Sequence, residues 1–303
     1  MSPALSGAAI AAFLQRPLLG EDLPITSGPA DLATCGPGDL VWARGASVEL
    51  AEQLRARAPA LCICDPRLAE ALQQTQPPVP AIPVERPRLS FIRVLQTFYA
   101  PRPPSGPLLH PTALIDPAAR LGQDVRVGPY ARIGAEAVVG DGCQIGAGVH
   151  IEGAVTLGQR CVIKANSVLG GQGFGFEYDE DGEPLHFPHI GRIVIEDDVW
   201  LGACTTVERA GLGVTFIGRG AKVDDLVQVG HNCAIGAGTL VMANVVFCGG
   251  ARVGARCWIA PGALIKQKVI VGDRVTVGLG AVVLRDVPDG ATVAGVPARA
   301  LGQ

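Results

Sequence analysis

The sequence predicts a mainly β chain: a parallel β-helix of triangular cross-section, preceded by a small N-terminal α/β domain. Three observations lead there: a six-residue repeat from Leu121 to Val283, two interruptions of that repeat, and an N-terminal third from which it is missing. The register can be counted. Leu121, Val127, Ile133, Val139, Ile145, Ile151, Leu157, Ile163 and Leu169 are spaced by six, and Gly follows most of them. Ile195, Leu201 and Val207 form a second run. A third run extends from Ile217 through Val223, Val229, Ile235, Val241, Phe247, Val253, Ile259, Ile265, Val271 and Val277 to Val283. In such a repeat each hexapeptide makes one short strand and a turn, and three of them complete a coil. The aliphatic residue points into the prism, and the Gly relieves crowding where the backbone turns a corner.

The elements follow in order. Residues 1–100 read as a small mixed domain, opening on one amphipathic helix with Ala9, Ile10, Phe13 and Leu14 on its apolar face. DLVWAR and ALCICD read as strands, and VELAEQLRARA, PRLAEALQQ and SFIRVLQTFY as helices. Residues 101–109, beginning PRPPSGP, form a stiff linker. The solenoid occupies 110–286, and 287–303 form a tail. The Leu169 to Ile195 interval is 26 residues and the Val207 to Ile217 interval is 10, so the segments Gly170 to Gly191 and ERAGLG leave the prism as loops. Loops thrown out of a solenoid line a binding face or are tolerated insertions.

A net charge of −3 gives no basic field for nucleic acid. No apolar stretch reaches the roughly 20 residues needed to span a bilayer, and the N-terminus has no basic region before its apolar patch, so neither a transmembrane segment nor a signal peptide is expected. The nine cysteines have no zinc-type spacing and read as small buried hydrophobes in a cytoplasmic protein. The five histidines likewise lack a paired metal spacing, so no metal is expected.

One histidine stands out. His231 lies two residues after Val229, in the most regular part of the solenoid, and one coil of eighteen residues later comes Gly249. A base beside a backbone N–H is the minimum equipment for acyl transfer, the imidazole taking a proton from the nucleophile and the N–H holding the oxyanion. The alternative is a surface histidine hydrogen-bonded to a neighbouring coil.

The stretch GGQGFGFEYDEDGEPLHFPHIGRIVIEDDVWLGACTTVERAGLGVTFIGRGAKVDDLVQVGHNCAIG resembles the central region of the UDP-3-O-acylglucosamine N-acyltransferase family of lipid A biosynthesis. HPTALIDPAARLG at the start of the solenoid and the layout of the N-terminal domain extend the resemblance over nearly the whole chain. The resemblance implies a left-handed parallel β-helix and a homotrimer with active sites in the grooves between prisms. It also implies transfer of a hydroxyacyl chain from acyl carrier protein to the 2-amine of a UDP-amino sugar, with no bound cofactor. It makes His231 the general base and Gly249 the oxyanion donor, with Asn232 kept from the family's His-Asn pair. Phe174 and Phe176 of the glycine-phenylalanine loop are expected to border the groove on the substrate side, and His186 and His189 are either groove or solvated residues.

The chain departs from the family at several positions. Glu208-Arg209-Ala210 stands for Asp-Arg-Gly, Gly230 replaces the Ala before His231, and Lys268 falls where the family has a second histidine near the nucleotide phosphates. Of the family's uracil-contacting Phe, Asn and Tyr, only Trp42 keeps a ring, the others falling on Gly45 and Val48. Trp42 and Lys268 are thus expected to bind the nucleotide, Lys268 as a point charge. The ending VAGVPARAL also occurs in acyltransferases that use acetyl-CoA. A CoA-dependent N-acetyltransferase acting on a nucleotide-linked amino sugar is the alternative.

Overall fold

In the computed structural model, which describes residues 5–99 and 108–300, the chain divides into two compact units, Met1–Ser105 and Gly106–Gln303. The PRPPSGP linker, residues 101–107, lies outside the described residues.

The first unit is a four-stranded parallel sheet, β3 (Gly28–Pro29), β4 (Asp39–Ala43), β5 (Leu61–Cys64) and β6 (Ala81–Pro83) in that order, with a short antiparallel pair β1 (Leu5–Ser6) and β2 (Pro24–Ile25). All four residues of β5 are buried because helices cover both faces. Cys62 and Cys64 face α2 (Val48–Arg57) and α3 (Pro66–Gln74), while Leu61 and Ile63 face α1 (Gly7–Leu14) and α4 (Pro87–Phe98). Ser6 and Ser47 start α1 and α2 by accepting the N–H of Ala9 and Leu50. The apolar face of α1 differs from the expected one. Gly7, Ile10 and Ala11 are buried, whereas Ala9 and Phe13 are exposed, Phe13 meeting Phe98 edge-on at 5.3 Å. The i, i+3, i+4 stripe that packs starts at Gly7, and Phe13 falls beside it.

The second unit is a parallel β-helix of three sheets of 9, 8 and 10 strands. Within the regular runs each strand pairs with the one eighteen residues on, for example Ile133 with Ile151 and Val229 with Phe247. Each hexapeptide buries two residues, not one. The repeat aliphatic points inward, and so does a small residue two positions before it, as in Ala131 with Ile133 and Cys143 with Ile145. Cys161, Cys233 and Cys257 take this second position too, which with Cys143 accounts for four of the six cysteines of the second unit. Their thiols do more than fill space: the S–H groups of Cys143 and Cys257 donate to the carbonyls of Gly158 and Gly272 at 3.0 Å, as the hydroxyl of Thr239 does to Gly254 at 2.7 Å.

The repeat Gly is required for a different reason from backbone conformation. A methyl group on Gly218 would sit 2.7 Å from the Ala237 nitrogen of the next coil, so only a bare α-carbon lets the coils approach. The left-handed corner position lies elsewhere in the repeat and is taken by residues such as Asn166, Asn232, Asn244 and Lys268. At some corners an Asp ties coil to coil, Asp225 Oδ1 accepting the N–H of Ala203 at 2.7 Å and Asp273 Oδ1 that of Ala255 at 2.8 Å.

Both interruptions leave the phase of the coil intact. Leu157 pairs with Ile195 across 38 residues and Ile195 with Ile217 across 22, which are insertions of 20 and 4 in the 18-residue coil (38 − 18 and 22 − 18). The longer excursion, expected as a loop, contains an antiparallel hairpin that joins Phe176–Tyr178 to Pro184–His186. The ladder also runs on past Asp286 into the expected tail. Thr292–Ala294 pairs with Thr276–Val277, and Val287 and Val293 are buried in the core. The aliphatic pattern there lost its six-residue spacing, but the inward positions were still filled.

Phe247, 1% exposed, is the largest side chain wholly inside the prism. Phe247→Ala is expected to lower stability by about 3–5 kcal/mol, measured by chemical denaturation.

Candidate active site

His231 follows the strand Gln228–Val229 at a prism corner, and its neighbour Asn232 occupies the left-handed turn position with φ 62°. The Asn232 amide is oriented by two backbone groups: Oδ1 accepts the N–H of Gly211 at 3.0 Å and Nδ2 donates to the Leu212 carbonyl at 2.7 Å. His231 Nδ1 lies 3.0 Å from that same Oδ1 and must therefore carry the hydrogen. The Nε2 lone pair is left free, which is the form a base needs. The main chain is held as well, the His231 N–H donating to Glu208 Oε2 at 3.1 Å and the Asn232 N–H to Thr215 Oγ1 at 2.8 Å.

The next coil places Gly249 against the ring. A methyl group on Gly249 would press on His231 Nε2 and lie 2.7 Å from Cε1, so the imidazole rests over a bare α-carbon. The Gly249 N–H has no acceptor among the described residues. Gly250 donates to the His231 carbonyl at 2.8 Å, and Lys268, one coil further, donates its backbone N–H to the Gly249 carbonyl at 3.1 Å. His231, Gly249 and exposed Lys268 thus share one prism edge.

The longer excursion folds beside this edge. Phe174 and Phe176 lie 4.8 Å apart, Phe176 and His186 5.0 Å, and His189 and His231 4.9 Å. A cavity of about 430 Å³ opens beside His231, walled by Phe176, Phe187, Leu212, His189 and Asn232. Phe176 lines it. Phe174, 86% exposed, stands outside it. Asn232, expected to contact substrate, lines this cavity, and its amide bonds to Gly211, Leu212 and His231.

Trp42 belongs to the first unit, where its ring is half-buried in the cluster beneath α4; Gly45 is exposed, its N–H donating to Asp65 Oδ2 at 2.8 Å, and Val48 begins α2. Two residues escaped the sequence reading. Glu208 entered it only as a departure from a motif, although its place directly after Val207, where the hexad breaks, is a usable signal. His189 was left undecided and is 3% exposed. Burial holds the His189 imidazole below its ordinary pKa, against the Phe187 carbonyl that accepts from Nδ1 and with His231 and His186 adding like-charge repulsion.

Residues 136–171 match the bacterial transferase hexapeptide family (six repeats). The fold is similar to that of the UDP-N-acetylglucosamine acyltransferase of Francisella novicida, with a TM-score of 0.59 and 22% identity over 64% of this chain and 70% of that one. It is the left-handed parallel β-helix. The chain is 35% identical over 298 residues to the UDP-3-O-acylglucosamine N-acyltransferase of Bordetella pertussis, covering 91% of this chain and 82% of that one. It belongs to the UDP-3-O-acylglucosamine N-acyltransferase family. Alignment with the same enzyme of Anaeromyxobacter dehalogenans is local, 46% identical over 103 residues, 32% of this chain, so that the chain spans 29% of that relative's length.

The neutral state of His189 carries a stability signature. Its pKa is lower in the folded chain than in the unfolded one, so below about pH 6.5 the unfolded chain binds a proton that the folded chain refuses. Stability is therefore complete above that pH and falls as pH drops toward the folded value. Melting temperature measured from pH 7.5 to 5 is expected to decline less in His189→Gln than in the wild type.

Proposed function

We propose that this chain is a cytoplasmic N-acyltransferase that moves a 3-hydroxyacyl chain from acyl carrier protein to the amine of a UDP-amino sugar in lipid A biosynthesis. The observation that carries this reading is the His231 ring, with Nδ1–H committed to Asn232 and Nε2 free above Gly249. In this reading the neutral amine attacks the thioester carbonyl, and the developing oxyanion accepts a hydrogen bond from the Gly249 N–H. As the C–N bond forms, the amine proton passes to Nε2, and Asn232 Oδ1 keeps the imidazolium in place. Collapse of the tetrahedral adduct breaks the C–S bond, and the proton on Nε2 neutralises the leaving thiolate. No metal or bound cofactor enters the scheme.

The remaining roles follow the family resemblance: Phe176 borders the acyl path, Asn232 positions His231, and Lys268 and Trp42 serve the nucleotide. The working form is a homotrimer. Trp200 and Trp258 stand exposed on the ten-stranded face of the prism, apolar side chains of the kind that a partner covers.

His231→Ala is expected to lose on the order of 10²-fold or more in kcat with a small change in KM, assayed by product mass spectrometry with acyl carrier protein and CoA donors side by side. Retained turnover with every donor would remove His231 from the chemistry, and turnover with acetyl-CoA alone would select the acetyltransferase alternative. Gly249→Ala tests the same geometry from below. Gly249 is not in a left-handed conformation, so the fold is expected to persist while the added methyl displaces the ring and kcat falls by a comparable factor.

A further inference from the structure

Both excursions from the hexad close on one imidazole. His189 Nδ1 lies 2.9 Å from the Phe187 carbonyl, which only accepts, so Nδ1 carries the hydrogen and Nε2 is bare. The backbone N–H of His189 donates to Gln172 Oε1 at 3.2 Å. Glycines from both excursions wall the rest of the ring. A methyl group would stand 2.8 Å from Nε2 if placed on Gly173, 3.0 Å from Cε1 on Gly175 and 3.6 Å from Cδ2 on Gly211. The point above Gly173 is also 2.9 Å from Glu208 Oε2 and 3.0 Å from His231 Cβ, so base, carboxylate and second imidazole converge there. The remaining side of His189 meets His231, with the ring planes at 74°.

We propose that His189 is a positioning residue for His231, tying both excursions to the prism and holding the base in the rotamer that sets Nε2 over Gly249. The inference rests on His231 being the base. A surface imidazole at a prism corner has three staggered χ1 wells open to it. Here Asn232 holds Nδ1 and Gly249 supports the ring from below, and neither prevents it from swinging sideways into the cavity. His189 fills that side. It is itself immobile because four backbone segments grip it: Phe187, Gly173 and Gly175 from the longer excursion and Gly211 from the shorter. Gly211 also donates to the Asn232 oxygen that fixes the His231 tautomer, so one contact set governs both the place and the protonation pattern of the base.

The test compares wild type with His189→Ala and Gly175→Ala. His189→Ala is expected to lose about tenfold in kcat, with KM for both substrates within about twofold, because a misplaced base costs the chemical step and not binding. The chain has five histidines, so a ¹⁵N-histidine-labelled sample reports them directly. Wild-type His231 should show a single tautomer with Nδ1 protonated, and His189→Ala should average the two ring nitrogens. Gly175→Ala pushes the His189 ring by a few tenths of an ångström without replacing it and should lose severalfold in kcat as a folded protein. Unchanged kcat and an unchanged His231 spectrum in folded His189→Ala would overturn the proposal. So would full activity in Gly175→Ala if His189→Ala does not fold. An active His231→Ala enzyme would instead overturn the reading of the base itself, whatever the His189 variants do.

Discussion

The stacking of one coil on the next through backbone hydrogen bonds is the constraint on which the second unit depends. Strand-to-strand spacing in a sheet is about 4.8 Å, and every coil must keep that distance at its corners as well as along its faces. At corners such as that of Gly218 the two backbones meet with no room for a Cβ, whereas Met242 and Lys266 hold the equivalent position at others. Inside, the same spacing admits one large aliphatic and one small residue per hexapeptide, and polar small residues there must bond a carbonyl, as the Thr239 hydroxyl and the Cys257 thiol do. The repeat in the sequence is the imprint of this spacing.

A rigid ladder of this kind converts sequence distance into spatial position. Residues eighteen apart become neighbours along an edge, and His231 meets Gly249 for no other reason. The site then needs two things that the ladder alone does not supply: a fixed tautomer and a wall. Both come from the insertions of 20 and 4 residues. Because each insertion returns the chain to phase, the ladder continues in register on either side of it. Gly211 and Leu212 orient the Asn232 amide, while Gly173, Gly175 and Phe187 seat His189.

The electrostatics of the corner follow from this packing. Two imidazoles within 5 Å cannot both hold a proton at low cost, and burial together with this repulsion lowers the pKa of His189. Glu208 is the carboxylate at the junction, and its Oε2 is occupied by the His231 backbone N–H. It anchors the main chain of His231 and does not pair with the ring, whose Nδ1 faces Asn232.

The sequence by itself determined the prism, the inward aliphatics, the two departures from it and the pairing of His231 with Gly249, because all of these are periodic and a period of six can be counted along one chain. It also marked the helices and two of the strands of the first unit from their amphipathic patterns. What it did not determine is aperiodic. The hairpin inside the longer excursion, the burial of His189, the use of Asn232 as an orienting group and the return of Val293 to the core all depend on where a segment lands after leaving the register. No local pattern encodes that landing place. It is decided by contacts between residues distant in sequence, such as Gly173 with His189 and His231, which exist only once the ladder has set its edges in space.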